Sequence, residues 1–304
     1  MKKTCTLLLA LALVFTLCAC GKEPAPEASA TVAPTTAPTP TPVAASTELG
    51  SGRFESFEAA FVGAESFTAA DGSDALRVYF DFKNLSGEAI SASEWLLFSA
   101  VQDGKTLNWA ESPEPLDIEE NLMLRLQPGH SIRCVLQYTL LSDSTVAVML
   151  SDTANHSVSA LISLHQLPGA PEEMEAACDE PDETALTTTL PAECTLFDLY
   201  TVSLTGGKTQ DTDAGRVLVA TLDFTNLADP QTVEVWDCLW LYAYQDGLEL
   251  TTADLGTDFH VTAAAGETVA CTIPLTLRSD SPVLIEVYGM RDLEPSAGLV
   301  IPVA

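Results

Sequence analysis

Basic residues are scarce in this chain. Its 304 residues include 13 Lys and Arg against 43 Asp and Glu, which gives a formal net charge of −30. A chain of this charge is repelled by phosphate backbones and by anionic lipid headgroups. The imbalance therefore excludes nucleic acid as a partner. It favours solubility and cationic partners, without selecting any one of them.

The sequence also lacks the motifs of common catalytic centres. It contains no G-x-S-x-G, H-E-x-x-H or S-x-x-K motif and no glycine-rich phosphate loop. Its histidines are scattered, and no Cys/His set has the spacing of a zinc site. Paired carboxylates occur throughout so acidic a chain and identify no glycosidase. The sequence predicts a protein that is not an enzyme and that uses no cofactor or metal.

The apolar run at the N-terminus is too short to span a membrane. Residues 7–17 follow Lys2 and Lys3 and match the length of a secretory signal, whereas a spanning helix needs about 20 apolar residues. The run ends in Leu17-Cys18-Ala19-Cys20, which resembles the lipobox of bacterial lipoprotein signal peptides. That resemblance implies a signal peptide over 1–19, a diacylglyceryl group on Cys20, and anchoring at the extracellular face of the cell membrane. The alternative is an ordinary signal peptide with Cys20 incidental.

A segment without folding potential follows the anchor. Residues 20–50 are rich in Ala, Thr, Pro and Glu, with alternating Thr and Pro over 39–42. Proline biases such a segment toward an extended spacer of about 3.1 Å per residue. We expect a disordered stalk that holds the folded part away from the membrane.

The rest of the chain is a duplication. The segment DFKNL at 81–85 returns as DFTNL at 223–227, and the Q-D-G motif at 102–104 returns at 245–247. Further on, Gly129 and Cys134 return as Gly266 and Cys271, and the S-D-S motif at 142–144 returns at 279–281. Repeats this long are whole domains rather than solenoid units. Residues present in both copies are expected to serve the shared fold.

Strand periodicity dominates both copies. Apolar residues alternate with polar ones over 76–83, and the second copy repeats the pattern over 218–224. The two Asp-Gly pairs, at 103–104 and 246–247, are typical of tight hairpin turns. The pattern predicts an all-β protein with two immunoglobulin-like antiparallel β-sandwich domains, over 51–168 and 193–304, joined by an acidic linker over 169–192.

These motifs together resemble a known family. A lipobox, a Pro/Thr stalk and domains with a strand ending in F-[KT]-N-L, then Q-D-G, then a Gly-led strand are similar to the uncharacterised Ig-like (telokin-like, immunoprotective extracellular) domains of Gram-positive lipoproteins. The resemblance implies a cell-surface lipoprotein with a domain of unknown function in tandem. It implies no catalytic residues. The extracellular partner is expected to be a protein or a glycan.

Five cysteines remain after the signal peptide and Cys20 are set aside. Cys134 and Cys271 share the parity of core residues, and we expect both to be buried. Cys178 and Cys194 flank the linker, and a disulfide between them would contribute roughly 3 kcal/mol. A bridge between Cys238 and Cys271 is an alternative. The odd count leaves at least one thiol outside any internal bridge.

One feature belongs to the second copy alone. Trp236, Trp240, Tyr242 and Tyr244 occur at alternate positions of a single predicted strand over 235–244. Such a face is suited to stacking against sugar rings, which predicts glycan or cell-wall polymer binding as one function. The opposite face is also apolar, so the alternative is a face covered by the linker or by the other domain.

Overall fold

The computed structural model describes residues 46–173, 188–213, 215–255, 260–290, 292 and 294–303. The described residues belong to one compact unit that contains both copies. The predicted signal peptide, Cys20, most of the predicted stalk and the linker segment 174–187 lie outside the described residues. In the described part of the chain no helix has the length and apolarity to cross a membrane.

The first domain consists of strands, one short α-helix and one 3-10 helix. The four-residue helix α1, Ala92–Trp95, begins with a capping box in which Ser91 and Glu94 each accept a hydrogen bond from the other's backbone N–H. The 3-10 helix covers Glu119–Leu122. The strands are β1 Ser51–Arg53, β2 Phe57–Thr68, β3 Asp74–Asn84, β4 Leu97–Gln102, β5 Lys105–Thr106, β6 Ser131–Thr139, β7 Val146–Ser151 and β8 Ser157–Ile162.

The second domain repeats this order and adds a small two-stranded ribbon, formed by β12 (Val233–Glu234) and β15 (Thr262–Ala263). A 3-10 helix, Val235–Asp237, stands where the first domain has α1. The strands are β9 Glu193–Leu196, β10 Tyr200–Thr212, β11 Gly215–Asn226, β12 Val233–Glu234, β13 Leu239–Gln245, β14 Leu248–Glu249, β15 Thr262–Ala263, β16 Thr268–Thr276, β17 Val283–Gly289 and β18 Ala297–Ile301.

Each domain is a sandwich of two antiparallel sheets. The first pairs its strands in the orders β1-β2-β3-β6 and β5-β4-β7-β8, and the second in the orders β9-β10-β11-β16 and β14-β13-β17-β18. The two lists correspond strand for strand. Even the irregularity in β2 between Phe61 and Gly63 recurs in β10 between Leu204 and Gly206. The prediction of an all-β, duplicated fold is confirmed.

The core positions follow the predicted alternation. Leu76, Val78, Phe80 and Phe82 are buried on β3, and Leu218, Ala220, Leu222 and Phe224 are buried on β11. Cys134 and Cys271 lie in the two separate cores, as small apolar side chains.

The repeated Q-D-G and S-D-S motifs form one structural unit. Nε2 of Gln102 donates to the carbonyls of Ser142 and Ser144 at 3.0 and 2.8 Å, and its Oε1 accepts from the Leu141 N–H at 2.7 Å. Gln245 makes the same bonds in the second domain, to Ser279, Ser281 and Arg278. Both glutamines are fully buried. The repeat therefore preserves a hydrogen-bonded link between two turns, not a ligand site.

The repeated asparagines have a similar structural role. Nδ2 of Asn84 donates to the carbonyls of Glu88 and Leu126, at 2.7 and 2.8 Å. Asn226 donates in the same way to Gln231 and Ala263. Each side chain ties the end of a central strand to the turn that follows it and to a distant segment.

Backbone pairing extends beyond the predicted domain boundaries at three places. Residues 46–50, assigned to the stalk, pack on the first domain, where Glu48 bridges Leu161 of β8. Gly169, assigned to the linker, bridges Ala64 of β2. The linker's last residues belong to the second domain, because the Gly298 N–H donates to the Pro191 carbonyl at 3.0 Å. Backbone hydrogen bonds determine where each domain begins and ends, and the composition of these segments does not indicate such bonds.

Candidate binding site

The predicted aromatic face exists, but Trp236 is not part of it. The sequence pattern treated 235–244 as one strand, whereas Trp236 lies in the 3-10 helix and packs against the core of the second domain. Its indole N–H is buried and has no hydrogen-bond partner among the described residues. The first copy indicates a helical turn at this position, because α1 follows its capping box at the place that corresponds to the 3-10 helix.

The other three aromatic residues alternate along β13 and point away from the core. Trp240 pairs with Tyr288 of β17, and Tyr242 pairs with Glu286. Directly opposite residues lie on the same face of a sheet. Their exposure differs along the strand: Trp240 is 46% exposed, Tyr242 is half-buried and Tyr244 is fully buried.

The first domain covers this face at Tyr242 and Tyr244. Leu126 forms a bridge with Leu248 of β14, and the backbones on either side are hydrogen-bonded. The Gln127 N–H donates to the Gly247 carbonyl at 2.8 Å, and the Glu249 N–H donates to the Arg125 carbonyl at 2.9 Å. Segment 125–127 thus pairs with β14, so the two sandwiches are joined by backbone hydrogen bonds.

The Arg125 side chain is the centre of this contact. Its guanidinium carbon lies 4.5 Å from the ring centroid of Tyr242 and 6.0 Å from that of Tyr288. Its Nη2 donates to the Ala89 carbonyl at 2.6 Å, and its Nε lies 3.7 Å from Oε2 of Glu94. A guanidinium held between rings and a carboxylate is a favourable cation–π arrangement.

Two carboxylates beside Arg125 are partly removed from water. Burial raises the pKa of Glu249 and of Glu286, and the positive charge of Arg125 acts against both shifts. Oε2 of Glu249 accepts a hydrogen bond from the Arg125 N–H at 2.8 Å, and Oε2 of Glu286 accepts one from the Tyr288 hydroxyl at 2.8 Å. At this interface the positive charge of Arg125 therefore lies beside the carboxyl groups of Glu94, Glu249 and Glu286.

His130 completes the contact from the first domain. It is half-buried against Gly247, where a Cβ atom would meet the imidazole ring. Gly247 also has a φ of +75°, which favours glycine. Burial lowers the pKa of His130, although the carboxylate of Asp246 acts in the opposite direction.

A cavity of about 840 Å³ lies beside the covered face. Its aromatic lining is Trp236, Trp240 and Tyr242, and its acidic lining is Glu120, Glu234 and Glu249. Glu120 belongs to the first domain, so both domains contribute. Ligand sites of 300–1,000 Å³ with apolar walls and a few polar groups are typical of proteins. This cavity is the candidate site.

The cysteines contribute no further site among the described residues. Cys134, Cys238 and Cys271 carry free thiols, so the alternative bridge between Cys238 and Cys271 is not formed, and Cys194 has no disulfide partner among the described residues. Burial is the main cause that raises the pKa of Cys194 and of Cys271, each to about 11, which makes both poor nucleophiles. Cys178 lies outside the described residues, so its bridge to Cys194 stays a prediction. Within the described ranges, no cluster of His, Cys, Asp and Glu has metal-binding geometry.

The structure brings together Trp236, Trp240 and Tyr242, and it buries Tyr244 away from any ligand. The sequence did not indicate a role for Arg125, Leu126 and Glu249, which determine how the face is covered. One signal was available: the duplication aligns Leu126 with Ala263, and these two residues make the same contact with Asn84 and Asn226. A large apolar residue in one copy only can indicate a contact outside its own domain.

Comparison with known proteins assigns no activity. Residues 35–152 match a family model described as Domain of unknown function (DUF5067). The match includes β1 to β7 of the first domain, and β8 and the second domain lie beyond it. None of the curated proteins matches the chain. The first domain is thus similar to an uncharacterised domain family.

Proposed function

We propose that this protein is a membrane-anchored extracellular lipoprotein that presents two immunoglobulin-like domains as a non-catalytic binding module. The lipobox supports the anchor, with Cys20 carrying the diacylglyceryl group that holds the chain to the membrane. The match of the first domain to an uncharacterised family is consistent with a member of the Ig-like families of Gram-positive lipoproteins. The partner is an extracellular protein or a glycan.

The cavity at Trp236 and Trp240 carries the binding proposal. Features present in both copies, such as Gln102 with Gln245, are accounted for by hydrogen bonds within the scaffold. The aromatic lining of the cavity instead belongs to the second copy alone, because the first copy has Ser93, Leu97 and Ser99 at the positions of Trp236, Trp240 and Tyr242. The cavity also combines aromatic walls with carboxylates that are able to orient a ligand.

Glycan or cell-wall polymer binding is the second candidate function. It is favoured by Trp240, which lines the cavity and remains 46% exposed. Fewer than the four predicted aromatic rings are open to a sugar, because Tyr244 is buried and Tyr242 is covered by Arg125. A sugar would therefore stack on Trp240, with Trp236 beside it.

The anchor is tested by metabolic labelling with a radioactive fatty acid in a bacterial host. Wild-type protein is expected to carry label and to sediment with membranes. Cys20→Ala should lose both properties, whereas Cys18→Ala serves as the matched control and should keep them. Labelled Cys20→Ala protein would contradict the anchor.

The binding function is tested with purified cell-wall polymers and cell-surface extracts. The whole mature chain carrying Cys20→Ser is immobilised beside its Trp240→Ala variant. Trp95→Ala is the matched control, because Trp95 is 41% exposed on the first domain. Capture that is lost in Trp240→Ala alone is expected. Hydrolytic turnover of any captured polymer would contradict a non-catalytic role.

A further inference from the structure

The cavity follows the edge of strand β13. All five consecutive residues over 239–243 line it, including side chains from both faces of the strand. On one side β13 pairs with β17 over Leu239–Tyr244, and on the other β14 pairs with Tyr244 and Gln245 alone. Ile273 and Leu275 of β16, which belongs to the other sheet, also line the cavity. The cavity is thus an opening between the two sheets, bounded by a strand edge.

Backbone groups of β13 point into this opening. The Leu250 N–H donates to the Ala243 carbonyl at 2.8 Å, which shows that Ala243 directs its backbone toward this edge. Backbone direction alternates along a strand, so Leu241 and Leu239 present their N–H and C=O groups to the same side. An extended peptide can bond to such an edge as an added strand.

The charge of the opening favours a cation. Glu120, Glu234 and Glu249 line it, and none of its described lining residues is Lys, Arg or His. His260 reaches it indirectly, through Nδ1, which lies 2.8 Å from Oε1 of Glu234. The net charge of the whole chain, −30, adds a long-range attraction for cations.

One of the protein's own cationic side chains already packs against an aromatic ring and a carboxylate on this face. Arg125 lies over Tyr242, and it is flanked by Glu94 at 3.7 Å. Trp240 neighbours Tyr242 on the same face and lines the cavity. Tryptophan is the strongest cation–π partner among the aromatic side chains.

The chain's own remaining segments are poor occupants. Residues 174–187 contain five acidic residues and no basic one, so the carboxylates of the cavity repel them. The segment between Cys20 and residue 46 contains Lys22 as its single basic residue, together with Glu23 and Glu27. Charge therefore argues for an external partner.

From these observations we infer that the cavity binds an extended peptide segment bearing lysine or arginine side chains. The peptide backbone pairs with the β13 edge, and a side-chain cation lies against Trp240 in the cavity that Glu120 and Glu249 also line. The inference rests on the proposed binding function and specifies its ligand class. Its peptide component separates it from glycan binding.

The test is calorimetric titration of the mature chain carrying Cys20→Ser. The probe is the capped octapeptide of alternating lysine and threonine, and its matched control replaces each lysine by glutamine. Cellohexaose and the fully deacetylated glucosamine hexamer represent neutral and cationic glycans. Trp240→Ala is expected to weaken lysine-peptide binding about tenfold, whereas Trp240→Phe retains a ring and should weaken it less. Trp95→Ala should leave it unchanged.

Titrations at different ionic strengths and with a charge-removing variant test the role of the carboxylates in peptide binding. Affinity for the lysine peptide should fall as ionic strength rises from about 0.01 to 0.15 M, because screening shortens the reach of the carboxylates. Glu120→Gln should weaken binding about two- to fivefold. Circular dichroism spectra matching the wild type establish that each variant is folded.

Several results would overturn the inference. Absence of lysine-peptide binding at millimolar concentration, equal binding of the glutamine peptide, or an unaffected Trp240→Ala variant each contradicts it. Binding of the glucosamine hexamer without the lysine peptide shows a cationic glycan instead. Binding of cellohexaose alone would show that the ligand need not be a cation or a peptide. The proposed function as a binding module would still stand.

Discussion

The guanidinium of Arg125, from the first domain, lies 4.5 Å from the ring centroid of Tyr242, in the second domain. This contact separates two parts of the aromatic face. The part around Tyr242 and Tyr244 is an interface between the domains, and the part around Trp240 lines a cavity. The duplication thus produced a pair of similar sandwiches whose surfaces meet asymmetrically.

Replacing Arg125 by methionine should destabilise the protein. The variant loses the hydrogen bond to Ala89, the contact with Tyr242 and the cation beside Glu249 and Glu286. We expect the free energy of unfolding to fall by about 2–3 kcal/mol in urea titrations.

The control for that variant is Arg53→Met. The Arg53 side chain is 69% exposed and its ion pair with Glu58 lies on the surface. Its loss should change the free energy of unfolding by less than about 1 kcal/mol. Equal effects of the two substitutions would show that Arg125 has no special place at the interface.

The two buried glutamines should prove equivalent. Leucine at either Gln102 or Gln245 leaves backbone carbonyls and N–H groups of the paired turn without partners. Each substitution should cost about 3 kcal/mol in the free energy of unfolding. Thermal unfolding of the two single variants provides the comparison. A large loss in one copy alone would contradict the view that this motif is shared scaffold.

Glu249 should make the protein less stable as the pH rises. Burial raises the pKa of Glu249 in the folded state. Its contribution to the free energy of unfolding is therefore fully present below its pKa in the unfolded chain, and it is lost as the pH rises through its pKa in the folded protein. Glu249→Gln keeps an oxygen that accepts from Arg125 and removes the charge. The variant should therefore unfold at a higher temperature than the wild type at pH 7, and the difference should vanish near pH 4.

The matched control for this pH dependence is Glu55→Gln, because Glu55 is exposed on the first domain. It should follow the wild-type profile at both pH values. A profile of Glu249→Gln that coincides with that of Glu55→Gln would show that burial at the interface does not govern this carboxylate.

The thiols should differ in their chemistry. Peptide mapping of exported, unreduced protein is expected to find Cys178 joined to Cys194, because the two flank one short segment. Cys134 and Cys271 should stay unmodified by iodoacetamide in the folded protein, because both are buried and burial raises the pKa of each. Cys178 and Cys194 recovered as separate alkylated thiols would contradict the bridge.

Much of the fold was predictable because strand alternation and turn residues are local signals. The buried residues of β3 and β11 follow the sequence pattern, and the hairpins at Asp103 and Asp246 have the positive φ values that their Asp-Gly pairs indicate. Trp236 was misplaced because a single 3-10 turn has too few residues to show a period.

The candidate site was only partly predictable. The aromatic residues are visible in the sequence, but the pairing of Leu126 with Leu248 joins segments more than 100 residues apart and follows no local pattern. Whether an apolar strand face is open or covered depends on such contacts. The sequence therefore identified Trp240 as a candidate and left its surroundings undetermined.

The most direct test of peptide binding in the cavity uses the four tryptophans of the chain. Trp95 and Trp109 belong to the first domain, whereas Trp236 and Trp240 line the cavity. Indole N–H signals of the 15N-labelled mature chain carrying Cys20→Ser are recorded while the lysine-threonine octapeptide is added. We expect saturable shifts of the Trp236 and Trp240 signals, with those of Trp95 and Trp109 unchanged. Shifts confined to Trp95 and Trp109, or no shifts at all, would contradict peptide binding in the cavity.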